Sequence, residues 1–423
     1  MPWFNLASVN EPTRTRFTLL RFAFALSIVT YLDRVCISTA QTAVSKDLHL
    51  STSQMGVVFG AFTLAYALFE IPSGRMGDRI GPRKVLTRIV LWWSAFTAAT
   101  GLAWNYISLL VTRFLFGMGE AGAFPNISGA FSRWLPESER GRAHGVLFFG
   151  SRIGGAATPL LVTPIIAYMG WRPSFWIFGT FGAFWCIFWW RWFRDEPAKH
   201  PAVNQAELNI IHGGTKVEVH QNLPWSSLLS RPMLSICAMY FCYGYTLYFY
   251  LTWLPTYLSR IRGFSSFATA IVHAIVLLSS GAACLLGGKL TDYLVKNRSL
   301  REGRCIAVVS MPLSGLFLAL AALSSSNTAA SVFLALAAAM LDMGLGGMWS
   351  VCHDVGQNAA GTVTGCMNMF GNFGGTISPV VLGYLVEWYG SWVLPMLIAS
   401  GIAALSGVLM LAVDPSKRLS QTH

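Results

Sequence analysis

Arg34, Arg113 and Arg152 lie deep inside apolar runs of a 423-residue chain whose other Lys and Arg flank such runs. A charge at bilayer depth costs roughly 2.5–3.5 kcal/mol even on the lenient insertion scale, so three guanidiniums there imply a polar pathway that favours anions. Carboxyls accompany them. Asp33 precedes Arg34 in Tyr31-Leu-Asp33-Arg34. Adjacent helix positions diverge by about 100°, so one of the two can face a cavity while the other faces a neighbouring helix. Glu120 stands two helical turns after Arg113 and shares its face. A carboxyl buried by itself tends to protonate, and one near an arginine stays ionised until the arginine is drawn away. The Arg113–Glu120 spacing therefore reads as a proton switch.

The elements that position these groups are membrane helices. The chain is 54% hydrophobic and 11% charged, against about 25% charged in soluble domains. At ~20 apolar residues per span, twelve candidates stand out, at roughly 17–40, 53–72, 85–104, 106–128, 143–167, 172–193, 233–257, 267–290, 305–323, 329–351, 362–385 and 391–412. Loops take up most of the remainder, which argues against a membrane-anchored enzyme. The net charge of +12 follows from loop placement. Apart from the three buried arginines, only Lys46, Arg172, Arg260 and Arg262 fall on one side, and the other basic residues fall on the opposite side. This asymmetry predicts cytoplasmic termini and removes the case for nucleic-acid binding. The eight cysteines form no C-x-x-C, so neither a zinc site nor a disulfide framework is indicated. Residues 1–40 read as an uncleaved first helix, since Asp33 and Arg34 interrupt an apolar stretch already too long for a signal peptide.

The chain divides into related halves. Gly74-Arg-Met-Gly-Asp78 after the second span is echoed by Gly288-Lys-Leu-Thr-Asp292 after the eighth, and Gly154-Gly155…Pro159 by Gly374-Gly375…Pro379, each about half the chain later. Repeated bundles with a site at their interface are a common transporter plan. The expectation is an all-α membrane protein of two pseudo-symmetric six-helix bundles, residues 1–193 and 232–423, joined by a polar cytoplasmic tether over 194–231. Glu70, beside Pro72, reads as part of the loop cluster, Asp342 as a cap or local pair, and His273 as structural.

The loop from Gly74 to Lys84 resembles the signature of the major facilitator superfamily. Within it, Tyr31-Leu-Asp-Arg34 and Arg113-x6-Glu120-Ala-Gly-Ala-Phe-Pro-Asn126 resemble the anion:cation symporters, a group with bacterial sugar-acid and aromatic-acid permeases and the sialic acid and vesicular glutamate carriers. Leu251-Thr-Trp-Leu-Pro-Thr-Tyr257 and Met367-Asn-Met-Phe-Gly-Asn372 are similar to segments of that group. The resemblance implies proton-coupled uptake of a small organic anion, with a sugar acid, a dicarboxylate or an aromatic acid as the candidates. It implies that Arg34 holds the substrate carboxylate, that Asp33 and Glu120 take up protons, and that Arg113 partners Glu120. Tyr31 and Tyr66 would line the cavity, joined from the second half by Trp349 and by Asn368 or Asn372. Asp78, Arg79 and Asp292 would act in a gate. Where comparable sugar-acid permeases carry glutamine-like groups, this chain has Ser151 beside Arg152, and Tyr240, which would add a second cationic contact. No metal or cofactor is expected beyond a coupling ion, taken as H+. The protein is expected as a monomer in a bilayer, by resemblance a bacterial inner (plasma) membrane. An uncoupled anion exchanger or uniporter and a non-transporting nutrient sensor are the alternatives.

Overall fold

The computed structural model describes residues 11–212, 230–356 and 360–416; a few side chains within helices, Asp78 and His353 among them, lie outside the described residues. Twelve long helical segments follow one another: α1 (Arg16–Asp47), α2 (Thr52–Ile80), α3 (Pro82–Thr100), α4 (Tyr106–Trp134), α5 (Glu137–Met169), α6 (Trp171–Trp192), α7 (Arg231–Ile261), α8 (Ser266–Asn297), α9 (Leu300–Leu323), α10 (Asn327–Gly356), α11 (Ala360–Tyr389) and α12 (Val393–Leu411). Nine of them are apolar and long enough among the described residues to cross a bilayer by length and composition; α1, α3 and α6 complete the twelve. The all-helical fold agrees with the sequence reading. Large apolar side chains such as Leu91, Phe184, Leu286, Val309, Leu316 and Val408 lie on the outside, whereas Asp33, Arg113, Glu120, Arg152 and Asp342 are inside. That inversion is what hydrocarbon as solvent demands.

Local signals start the helices. Ser51 and Gln54 form a capping box at α2, the Ser51 hydroxyl accepting from the Gln54 amide (3.2 Å) and the Gln54 side chain from the Ser51 amide (2.9 Å). Asn105 and Ser108 do the same for α4. The helix α4 is not continuous: Ala121 leaves the helical region and Gly122 has φ +87°, with Ser73 packed where a side chain would stand. A non-glycine residue there would meet both the left-handed backbone penalty and that contact. The break comes directly after Glu120 and sets its depth. Two π-helical turns occur in α7, Phe249–Trp253 within its second half and Tyr257–Ile261 at its C-terminal end.

The halves meet along α2 with α11 and α5 with α8, supplemented by α1 with α7. These pairs are exchanged by a shift of six helices, as a pseudo-twofold requires. They are also the helices carrying the repeated Gly-Asp and Gly-Gly…Pro patterns. At the end bearing the α1–α2 turn (the far end), the Thr256 hydroxyl donates to Gln41 and the Ser53 amide to Glu387 (2.9 Å), closing the halves together. At the opposite, near end lie the start of α1 and the central segment. There the tether reading needs correction for its first part. Residues 205–212 are helical, and Glu207 is buried, its carboxylate accepting from the backbone amides of Thr15 (3.0 Å) and Arg16 (3.0 Å), from the Thr13 hydroxyl and from the Arg16 guanidinium (3.2 Å). Arg16 also pairs bidentately with Glu139 at 2.9 and 3.0 Å. The residues around Glu207 give no sign of this, because all its partners, two amides at the start of α1 together with the Thr13 hydroxyl and the Arg16 guanidinium, lie far away in sequence.

Candidate functional site

A cavity lies between the halves at mid-depth, walled by Tyr31, Arg34 and Tyr66 from α1 and α2, by Phe124, Phe148 and Arg152 from α4 and α5, and by Tyr240, Tyr243 and Tyr248 from α7; Trp349, Asn368 and Asn372 complete it from α10 and α11. Phe148 meets Trp349 edge-to-face at 5.1 Å on the near side. Arg34 reaches the wall from the middle of α1. Its Nε pairs with Glu120, its charge lies over the rings of Tyr66 (4.6 Å), Tyr31 and Phe62 (both 5.3 Å), and its Nη2 has no hydrogen-bond partner. Glu120 is fully buried and keeps one oxygen unpaired. Such a pair is held by mutual compensation, because either charge left by itself would be uncompensated in a low-dielectric interior.

This corrects the sequence expectation that Arg113 is the partner of Glu120. Arg113 lies over Phe116 (4.2 Å) and Phe62 (5.2 Å), and its Nε and Nη1 have no hydrogen-bond partner. The physical reason is helix geometry. Seven residues span ~10.5 Å along the axis, and helical side chains lean toward the N-terminus, so Arg113 leans away from Glu120. Arg34 arrives from another helix at the right height. Asp33 turns away from the cavity, is 1% exposed, and has neither oxygen hydrogen-bonded; Glu120, Arg113, Trp93 and Thr97 are its polar neighbours. Asp33 and Arg34 thus point in different directions, one toward α3 and α4 and one into the cavity.

Arg152 also reaches the wall. Its Nη2 pairs with Asp342 of α10 at 2.7 Å, and Asp342 accepts from the Tyr243 hydroxyl (2.7 Å) and from the Ser280 hydroxyl. Asp342 is therefore not a local cap but the partner of a residue in the other half. Ser151, expected at the cavity, is buried and donates to the Phe148 carbonyl of its own helix at 2.6 Å; one position from Arg152 rotates it off the wall. Tyr240 accepts from the Trp349 indole at 2.9 Å and stacks on Tyr243 at 4.9 Å between centroids. Asn368 and Asn372 both line the cavity, and both donate to Glu70, at 2.6 and 3.5 Å. Glu70 is the site residue that sequence reasoning missed. The sequence places it in the loop cluster, yet α2 continues ten residues beyond it to Ile80, and Glu70 is 3% exposed. The signal was available: Pro72 kinks rather than ends a helix when neighbouring helices re-satisfy its backbone. Tyr31 and Tyr66 stand at the wall. Arg79 and Asp292 are exposed at the near end, and Asp78 lies outside the described side chains. His273 is buried, its Nε2 3.1 Å from the Tyr250 carbonyl. Among the described residues no cluster of metal-ligating side chains occurs.

The chain resembles known proteins over most of its length. It is 36% identical over 412 residues to a protein of Cupriavidus necator named "Probable sulfoacetate transporter SauU", covering 96% of each chain. It is 30% identical to "Probable galactarate/D-glucarate transporter GudP" of Bacillus subtilis, covering 98% of this chain and 95% of that one, and 29% identical to the "Hexuronate transporter" of the same species, covering 94% of each. Its fold matches the crystal structure of a bacterial homologue of the human lysosomal transporter Spinster with a TM-score of 0.76 at 18% identity, over 94% of this chain and 97% of that one. The family model of the Major Facilitator Superfamily matches residues 23–379. The two-bundle architecture and these matches agree, and the chain belongs to the Major Facilitator Superfamily, a family of transport proteins rather than enzymes.

Proposed function

We propose that the protein is a secondary transporter that takes up a small organic anion together with protons by alternating access. The observation that carries this reading is the Arg34–Glu120 pair at the cavity wall, with one guanidinium nitrogen still free of partners. A substrate carboxylate satisfies Arg34 in place of Glu120. The displaced Glu120 then takes a proton, because an unpaired charge in that interior is costly. Asp33, with both oxygens unsatisfied beside Arg113, is the second proton carrier. Arg113 acts on Asp33 and Glu120 as a fixed positive field rather than as a mobile partner. The cross-half contacts rearrange as the bundles rock: Thr256–Gln41 and Ser53–Glu387 at the far end, Glu70–Asn368 nearer the other. Asp78, Arg79 and Asp292 close the near end in the opposite state. The relatives named for sulfoacetate, galactarate/D-glucarate and hexuronate transport supply the first probes. The protein works as a monomer in a bacterial inner membrane, and the basic-loop asymmetry supports termini in the cytoplasm.

The test is purified protein in liposomes with an internal pH indicator, screened against sulfoacetate, galactarate and glucuronate. Substrate-driven proton entry is the expected result, and it is abolished in Asp33→Asn and Glu120→Gln while substrate exchange across the membrane is still measurable. Substrate uptake with no proton movement in the unaltered protein would overturn the coupling and leave an exchanger or uniporter. Equal binding of neutral sugars and acids would overturn the anion reading itself.

A further inference from the structure

Arg34 and Arg152 line the same cavity, and each is neutralised by a protein carboxylate, Glu120 for the first and Asp342 for the second. The second pair is not needed by the coupling scheme above. It is also of a different kind. Arg34 and Glu120 both belong to the first half, whereas Arg152 and Asp342 join α5 to α10 across the divide between halves. Arg152 retains two nitrogens, Nε and Nη1, without hydrogen-bond partners, although its side chain is only 6% exposed. Arg34 retains Nη2. Buried guanidinium N–H groups are otherwise paired as a rule, so the cavity offers unmatched cationic donors at two points. Tyr31, whose ring centroid lies 5.3 Å from the Arg34 guanidinium carbon, lines the cavity with both arginines.

We infer that the transported substrate is a dianion bound at both ends, one anionic group on Arg34 and the other on Arg152, and that Asp342 is the internal anion occupying Arg152 when the substrate is absent. The inference rests on the reading of this cavity as an organic-anion site. An anionic group arriving at Arg152 competes with Asp342, whose carboxylate retains the Tyr243 and Ser280 hydroxyls as donors when it is displaced. Loading therefore loosens a bond between the two halves only when the second anionic end is present. A monoanion fills Arg34 and leaves the α5–α10 tie in place. Specificity for charge number and a conformational consequence come from the same exchange of partners.

The experiment is calorimetric binding to the full purified chain at neutral pH, using malonate, succinate, glutarate and the monoamide of each. A diacid and its monoamide have nearly the same shape and differ by one charge. At the best chain length the diacid is expected to bind at least about tenfold more tightly than its monoamide, the lower end of what a charge-assisted hydrogen bond supplies. Asp342→Asn raises that ratio, because the internal competitor is gone. Arg152→Gln with Asp342→Asn, which removes both charges and leaves no lone buried ion, brings the ratio to within about threefold. A ratio near one at every chain length in the unaltered protein would overturn the inference without touching the anion reading. Persistence of the preference in the double variant, or its loss in Asp342→Asn alone, would assign the pair to structure only. If neither acid nor monoamide bound, the organic-anion reading itself would fail.

Discussion

Replacing Glu120 by Gln separates a substrate-displaced counter-ion from an ordinary buried ion pair. The side chain of Glu120 is fully buried and that of Arg34 is 10% exposed. Breaking a buried pair by removing one partner costs about 3–5 kcal/mol. Glutamine keeps an acceptor oxygen, and the faces of Tyr66, Tyr31 and Phe62 lie 4.6–5.3 Å from the guanidinium carbon and stabilise a lone cation. The residual cost is therefore about 2 kcal/mol, or roughly 2 °C in melting temperature for a chain of 423 residues at about 2.1 cal/mol/K per residue. The substrate carboxylate no longer has to displace an ionised side chain, so its affinity rises by about tenfold, and at equal acid concentration the ligand-induced stabilisation exceeds that of the unaltered protein by ~1.4 kcal/mol. The assay is thermal unfolding of both proteins in detergent, with and without the acid that stabilises most strongly in the screen. Should the unliganded variant melt with the unaltered protein, or should the acid raise both by the same amount, Glu120 is not the group the substrate replaces.

Two predictions concern the scaffold. Burial by itself would push the Glu207 carboxyl up, but the Arg16 amide, the Thr13 hydroxyl, the Thr15 amide and the Arg16 guanidinium outweigh it and leave the group below its ordinary value. A lowered folded value means stability that is present above the unfolded value of about 4.3 and lost as pH falls through the folded one. Glu207→Ala should therefore cost about 1–3 kcal/mol at neutral pH, with the melting-temperature gap closing under acid conditions below that range; a gap independent of pH would refute the electrostatic account. Gly122→Ala should destabilise by about 1–2 kcal/mol through its left-handed backbone, and further through the Ser73 contact. An unchanged melting temperature would show that α4 tolerates a different break.

Much of the fold was legible in the sequence because hydrocarbon imposes a coarse rule that apolar runs must satisfy one by one. Span lengths, the all-helical class and the half-chain repeat all follow from local composition. The repeat is informative beyond its length, since its glycines sit on α2, α5, α8 and α11, the helices by which the halves touch. Arg34 and Arg152 were legible as buried charges for the same reason, as no loop accounts for them. Glu70 is not legible in this way, because Pro72 two residues on reads as a helix end in the sequence whereas the helix continues to Ile80.

What the chain determined by itself is which residues must be buried and at what depth, because period, charge and span length are properties of each helix separately. Which buried charge meets which was decided only by packing. Glu120 lies two turns from Arg113 on one helix, yet it is Arg34 that pairs with it. Asp342 looked like a local cap, yet its partner lies in the other half of the molecule. Side-chain reach is a few ångströms, and the rotation and height of one helix against its neighbour settle contacts on that scale.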